Sequence, residues 1–228
     1  MNELASHQRI ALISATPAAI DPASKALRAE IPEVSIWNIL DDTLLTDANY
    51  KGGLTPQLVA RMQRLISHAR AEGAAAILLT CSMYGAVAQD EFQDIPILAP
   101  DQAAFDELAV SDFGTVLVVA SLESSLADSL ERLTVSLEDA GSRSRLVGVF
   151  ASDAMEATET GDVGELVSAL ATACRAAIGN ADAIFLAQYS LAPAAVGLAS
   201  ALQLPVISGP RSAATRLGKA LRSPSAME

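Results

Sequence analysis

The chain has 228 residues, of which 51% are hydrophobic and 4% aromatic, and its formal net charge is −12. That length buries a sizeable core, as one large domain or two lobes of roughly 110 residues each. Scattered Arg and Lys and few aromatic residues argue against nucleic acid as a partner, and the apolar runs fall short of the roughly 18 residues that a membrane span needs.

The opening MNELASHQRIALIS leads straight into a strand-like run, without the basic start and long apolar stretch of a signal peptide. A cytoplasmic location is therefore expected. The acidity means that an anionic substrate has to be held by local donors against the overall field.

Strands and helices alternate along the chain. In order they are RIALIS, a helix over 18–30, VSIWNIL, a helix over 54–71, AAILLT, a short helix near 84–91, IPIL and a helix over 101–109. Then come TVLVVA, a helix over 122–140, RLVGVF, a helix over 162–179, AIFLA, a helix over 191–202, LPVI and a helix over 211–222. The polar stretch 46–53, with Tyr50 and Gly52-Gly53, reads as a loop, either a lid or a solvated connector. This spacing predicts parallel sheets with helices on both faces.

The second four strand–helix units echo the first four. QLVARMQRLISHARAEGAAAILLTC, ending at Cys81, lies on ELVSALATACRAAIGNADAIFLAQ, ending at Gln188, with one single-residue gap. QDIPILAPDQAA lies on LQLPVISGPRSAA, and the offset stays near 107. The expected fold class is α/β, with two pseudo-symmetric lobes, each a four-stranded parallel sheet flanked by helices, and a ligand cleft between them. The lobes are expected at 1–110, carrying Cys81, and 111–228, carrying Gln188, with the C-terminal helix free to pack back on the first.

In parallel sheets ligands bind beyond the carboxyl ends of the strands. Cys81 stands at such an end, followed by Ser82, Met83, Tyr84 and Gly85. Composition alone favours a small apolar core residue there. Its place in a turn opening a helix favours a thiolate of lowered pKa, suited to moving a proton to or from carbon or to attacking an electrophile. Cys174 lies mid-helix opposite Ile66 in the repeat and reads as core.

Other strand ends bring hydroxyls and acids to the same level: Ser14 and Thr16, Asp41 with Asp42 and Thr43, Ser121, and Gln188-Tyr189-Ser190. Helix capping explains the Ser and Thr positions equally well, and an unfilled helix start is itself an anion site. Gln188 donates and accepts hydrogen bonds but is neither acid nor base at ordinary pH. With two cysteines far apart and only His7 and His68, no metal site is expected. No G-x-S-x-G elbow, P-loop or G-x-G-x-x-G occurs, and Lys25, Lys51 and Lys219 are not at strand ends.

These residues resemble the aspartate/glutamate/hydantoin racemase superfamily over nearly the whole chain. The resemblance rests on the duplicated lobes, the LLTCS turn, the DDTLL segment and LAQYS opposite the cysteine. It implies a cofactor-independent enzyme in which two cysteines face each other across a cleft and exchange a proton on opposite faces of a carbon next to a carboxylate. Cys81 matches the first cysteine, and Gln188-Tyr189-Ser190 stand where the second would be.

The expected function is a cofactor- and metal-independent isomerase or racemase of a small carboxylate. Cys81 transfers the proton, with Asp41 or a water as second acid. Ser14, Thr16, Ser82, Met83, Asp41, Ser121, Gln188, Tyr189 and Ser190 bind the substrate. The alternatives are a decarboxylase or lyase in which the single cysteine protonates an enediolate, and a non-catalytic carboxylate-binding protein. The resemblance also implies a homodimer or higher homo-oligomer. The tail RSPSAME is expected to be mobile.

Overall fold

A computed structural model describes residues 8–89 and 94–222. His7, the end of the predicted 84–91 helix and the tail beyond Arg222 lie outside these residues. All eight predicted strands are present. The first four, β1 (Arg9–Ser14), β2 (Ser35–Leu40), β3 (Ala76–Leu79) and β4 (Ile97–Leu98), form a parallel sheet ordered β2-β1-β3-β4. The others, β5 (Thr115–Ala120), β6 (Arg145–Phe150), β7 (Ala183–Leu186) and β8 (Val206–Ser208), repeat that order as β6-β5-β7-β8.

Burial explains the order. The runs AILL of β3 and AIFL of β7 are buried at every position, as strands covered on both faces must be, while β2 and β6 at the edges are mostly exposed or half-buried. Ile13 pairs with Leu79 and Val119 with Leu186, so the duplicated sequence folds with duplicated register.

The helices of the first sheet are α1 (Ile20–Glu30), α2 (Leu44–Tyr50) and α3 (Pro56–Ala71). Thr55 caps α3 by accepting from the Leu58 N–H at 3.4 Å, and Pro56 sits in its first turn. The α3 face of Leu58, Met62, Ile66 and Ala69 is buried in one core with Ile13, Leu79 and Cys81. With the second sheet go α4 (Gln102–Ala109), α5 (Glu123–Asp139), α6 (Ala154–Thr160), α7 (Val163–Ala177) and α8 (Ala195–Leu202). Cys174 on α7 is fully buried beside Leu170 and Ala171, as its repeat partner Ile66 is in the first sheet. The last helix is α9 (Gly209–Arg222).

The chain divides into two compact units, one of the described residues up to Pro100 and from Ala213 onward, the other Asp101–Ser212. In the first unit Arg222 of α9 donates to Glu30 of α1 at 2.9 Å. Among the described residues no helix is long and apolar enough to cross a membrane.

Three predicted elements need correction. Most of the loop expected at 46–53 is helix α2, and α6 is its counterpart after β6. Both were hidden because about two turns of helix bury only two side chains, Leu44 and Ala48 in α2, Ala154 and Ala157 in α6. The segment after Cys81 is a 3-10 helix, Ser82–Gln89, and the helix predicted from 191 begins as a 3-10 helix, Tyr189–Ala194, with Pro193 inside it. Pro17 likewise opens α1 with a 3-10 turn, Pro17–Ala19.

Candidate active site

In each sheet the chain leaves the central pair of strands in opposite directions. β1 connects to β2 on one side while β3 stands on the other, and β5 and β7 do the same. The carboxyl ends of β1 and β3, and of β5 and β7, therefore flank a topological switch point, where loops part and leave room for a ligand. Each unit has its own.

At the first switch point, Ser14 ends β1 and Thr80-Cys81 follow β3. Ser14 is fully buried, Thr80 is 4% exposed and Cys81 is 9% exposed. The Thr80 hydroxyl donates to Ser14 Oγ at 2.9 Å and the Thr80 N–H donates to Ile13 O at 3.1 Å, which binds the two strand ends together. Cys81 forms no disulfide, and its carbonyl accepts from the Tyr84 N–H at 3.1 Å as the 3-10 helix begins. Ser82 and Met83, the next two residues, are half-buried. Thr16 lies two residues past β1 in extended conformation and makes no side-chain capping bond, so capping does not account for its hydroxyl.

Tyr84 ties this turn to α2. Its hydroxyl is buried and donates to Leu44 O at 3.0 Å. Burial, with the neighbouring Cys81 second, pushes the phenol up to about 12, which keeps it neutral. Asp41 follows β2 directly, and its N–H donates to Ser14 O at 3.0 Å. Arg61 of α3 holds Asp41 at 2.6 Å, Thr43 at 2.8 Å and, through its other terminal nitrogen, Asp47 of α2 at 2.8 Å. The carboxylate proposed from sequence as a second acid is thus in an ion pair.

At the second switch point Ser121 follows β5 and Gln188 follows β7. Gln188 Oε1 accepts from the Ser121 N–H at 2.7 Å and from its hydroxyl at 3.0 Å. The Ser121 hydroxyl is therefore spent on Gln188. The cap position of α5 is Leu122, which has no side-chain cap bond. Tyr189 is buried, and burial followed by the charge of Asp101 raises its phenol well above 10. Ser190 beside it is half-buried.

The structure thus gathers Ser14, Thr16, Cys81, Ser82, Met83 and Asp41 at one switch point and Ser121, Gln188, Tyr189 and Ser190 at the other. Sequence reasoning passed over Thr80, although it stands inside the quoted LLTCS, and missed Arg61 and Tyr84, whose partners are distant in sequence. It also missed Asp101, which is 2% exposed and ion-paired with Arg132 of α5. Burial raises Asp101 above the usual carboxylate range against the pull of Arg132, whose guanidinium also lies over the Phe105 ring at 5.2 Å.

The family model described as Asp/Glu/Hydantoin racemase matches residues 48–217. No curated protein matches the chain in sequence. Among solved structures, aspartate racemase of Picrophilus torridus is similar with a TM-score of 0.71 at 14% identity, covering 93% of this chain and 94% of that one. A glutamate racemase isoform of Bacillus anthracis gives 0.73 at 14% identity, over 95% of this chain and 82% of the other. Allantoin racemase of Klebsiella pneumoniae gives 0.66 at 20% identity, over 94% and 87%. At these identities the structural likeness speaks for the fold. The family match, which runs from α2 into α9 and takes in Cys81 and the whole second switch point, says more: the chain belongs to the Asp/Glu/Hydantoin racemase family.

Proposed function

We propose that the protein is a racemase- or isomerase-type enzyme acting on a small carboxylate, with Cys81 moving a proton at the carbon next to that carboxylate and no metal or cofactor required. The observation that carries this reading is the setting of Cys81. It is the thiol at the carboxyl end of a central strand, at a switch point, beside a buried pair of hydroxyls. As thiolate it takes the α-proton; the C–H pair becomes an enediolate and the sulfur becomes a neutral thiol. A proton then returns to the opposite face of the carbon from a water, since the Asp41 carboxylate is engaged by Arg61. Hydroxyls at Ser14, Thr16 and Ser82 are suited to meet the developing oxyanion, and donors of this kind are commonly worth about 3 kcal/mol each. At the second tip the Ser190 hydroxyl and the Gln188 amide are the donors left over, since Ser121 already donates to Gln188.

One observation favours a second reading. Position 188, the counterpart of Cys81, holds an amide that neither gives nor takes a proton. Chemistry with one thiol fits a decarboxylase or lyase. There the C–C bond to the departing carboxylate breaks, its electron pair forms the enediolate, and the Cys81 thiol protonates the carbon.

Two measurements separate the readings. Incubation in deuterium oxide with small α-substituted carboxylates exchanges the α-hydrogen and destroys optical activity if the enzyme racemises. Release of carbon dioxide with a single product enantiomer marks a decarboxylase. Cys81→Ala and Cys81→Ser are expected to abolish either activity with circular dichroism unchanged, and full activity in Cys81→Ala overturns the mechanism. Tight binding without turnover would mark a binding protein.

A further inference from the structure

The Gln188 amide has a fixed polarity. A side-chain amide offers two faces of opposite character, and which one it turns outward is usually ambiguous. Here the ambiguity is removed by the backbone. The Ser121 N–H is a donor and nothing else, and it lies 2.7 Å from the amide end assigned as Oε1. Only the carbonyl can occupy that place, because an NH2 there would set donor against donor. The Ser121 hydroxyl adds a second donor to the same oxygen at 3.0 Å.

The side chain is not spent on its own helix either. Gln188 occupies the cap position of the following 3-10 helix without capping it, and reaches across to the end of β5 instead. Its NH2 group is left over. Among the described residues none accepts from it, and the half-buried side chain stands at the switch point of its own sheet.

We propose that Gln188 is a specificity-determining residue that reads an acceptor, a carboxylate or carbonyl oxygen of the ligand, by donating from a locked NH2. Ser121 acts as its positioning residue. The inference rests on the small-carboxylate reading and narrows it: the ligand presents an oxygen acceptor at this place, and an ammonium or other donor group is turned away. Because both Oε1 bonds are already made, the amide is preorganised, and binding does not have to order it. A hydrogen bond to a charged acceptor is commonly worth about 1.5–3 kcal/mol, which is roughly ten- to hundredfold in affinity.

The test uses the full chain labelled with 15N-glutamine and two probes, malonate and D-glutamate. Titration is expected to move the Gln188 NH2 resonances, identified by their loss in Gln188→Leu. The calorimetric Kd is expected to rise about tenfold or more in Gln188→Leu. It rises further in Gln188→Glu, where one carboxylate oxygen still accepts from Ser121 and the other repels the ligand. The resonance shift is read in the unaltered protein and does not depend on any variant folding. If a probe binds with the NH2 resonances unmoved and the same Kd in both variants, this inference falls and the Cys81 reading stands. If neither probe gives heat or shifts, the small-carboxylate reading falls and takes this inference with it.

Discussion

Iodoacetamide at pH 8 is expected to alkylate Cys81 in the native protein and leave Cys174 unmodified. Burial pushes the Cys174 thiol up from its ordinary 9.0 to about 11. At pH 8 about one such thiol in a thousand is ionised, whereas a thiol at the ordinary 9.0 is roughly a tenth ionised. Since the thiolate is the nucleophile, a thiol at the ordinary value reacts about 100 times faster than Cys174. Access widens the gap, because Cys174 is fully buried and Cys81 is 9% exposed, so reaction at Cys174 waits on opening of the α7 core. The assay is intact mass followed by peptide mapping over time, with Cys174→Ala as background and small carboxylates as protectants. Labelling of Cys174 at a rate comparable to Cys81 would refute the burial argument. A Cys81 that stays unlabelled up to pH 10 would remove it as a reacting group.

The same Cys174 shift makes the fold alkali-sensitive. Between pH 9 and 11 the folded thiol keeps a proton that the unfolded one has lost, so stability falls as pH rises, by a few kcal/mol at most, on the order of 1.4 kcal/mol per pH unit. Urea midpoints at pH 8.5, 9.5 and 10.5 are expected to decline less steeply in Cys174→Ala. Arg132→Met leaves the Asp101 carboxylate buried without its counter-charge and is expected to cost about 3 kcal/mol or more at pH 7. Protonating Asp101 relieves that cost, so the loss should shrink at pH 5, and a loss independent of pH counts against the explanation. Thr80→Val strands the buried Ser14 hydroxyl and is expected to cost about 1–2 kcal/mol, with Thr80→Val/Ser14→Ala costing less than the two single changes together. Strict additivity in that cycle would mean the bond contributes nothing.

The sequence discloses most of what a single strand or helix decides by itself. β3 and β7 are legible as unbroken apolar runs because burial on both faces leaves no room for a polar residue. Cys81 and Gln188 are legible as tip residues because they stand two positions past the ends of those runs. α2 and α6 are not, since two buried side chains make too little of a period to see. The 3-10 geometry after each tip is equally hidden; only Pro193 hints at it. What Gln188 does lies further out of reach, because its meaning comes from Ser121 on a different strand, 67 positions earlier. The same holds for Arg61, which reaches back 20 residues to Asp41 and makes an ion pair of a carboxylate that sequence reading had left open as an acid.

The division of the chain has a bearing on its synthesis. The unit with the locked amide is one uninterrupted stretch, Asp101–Ser212, whereas the unit with Cys81 is assembled from residues up to Pro100 and from Ala213 onward. On the ribosome the later-written unit is whole while its neighbour still lacks α9, whose Ala213, Ala214 and Leu217 are at most 1% exposed once in place. Domains complete themselves as their residues emerge, so here the order of birth runs against the order of the sequence. The half that bears the thiol closes last, and a chain stalled before α9 carries a finished donor tip beside an unfinished home for Cys81.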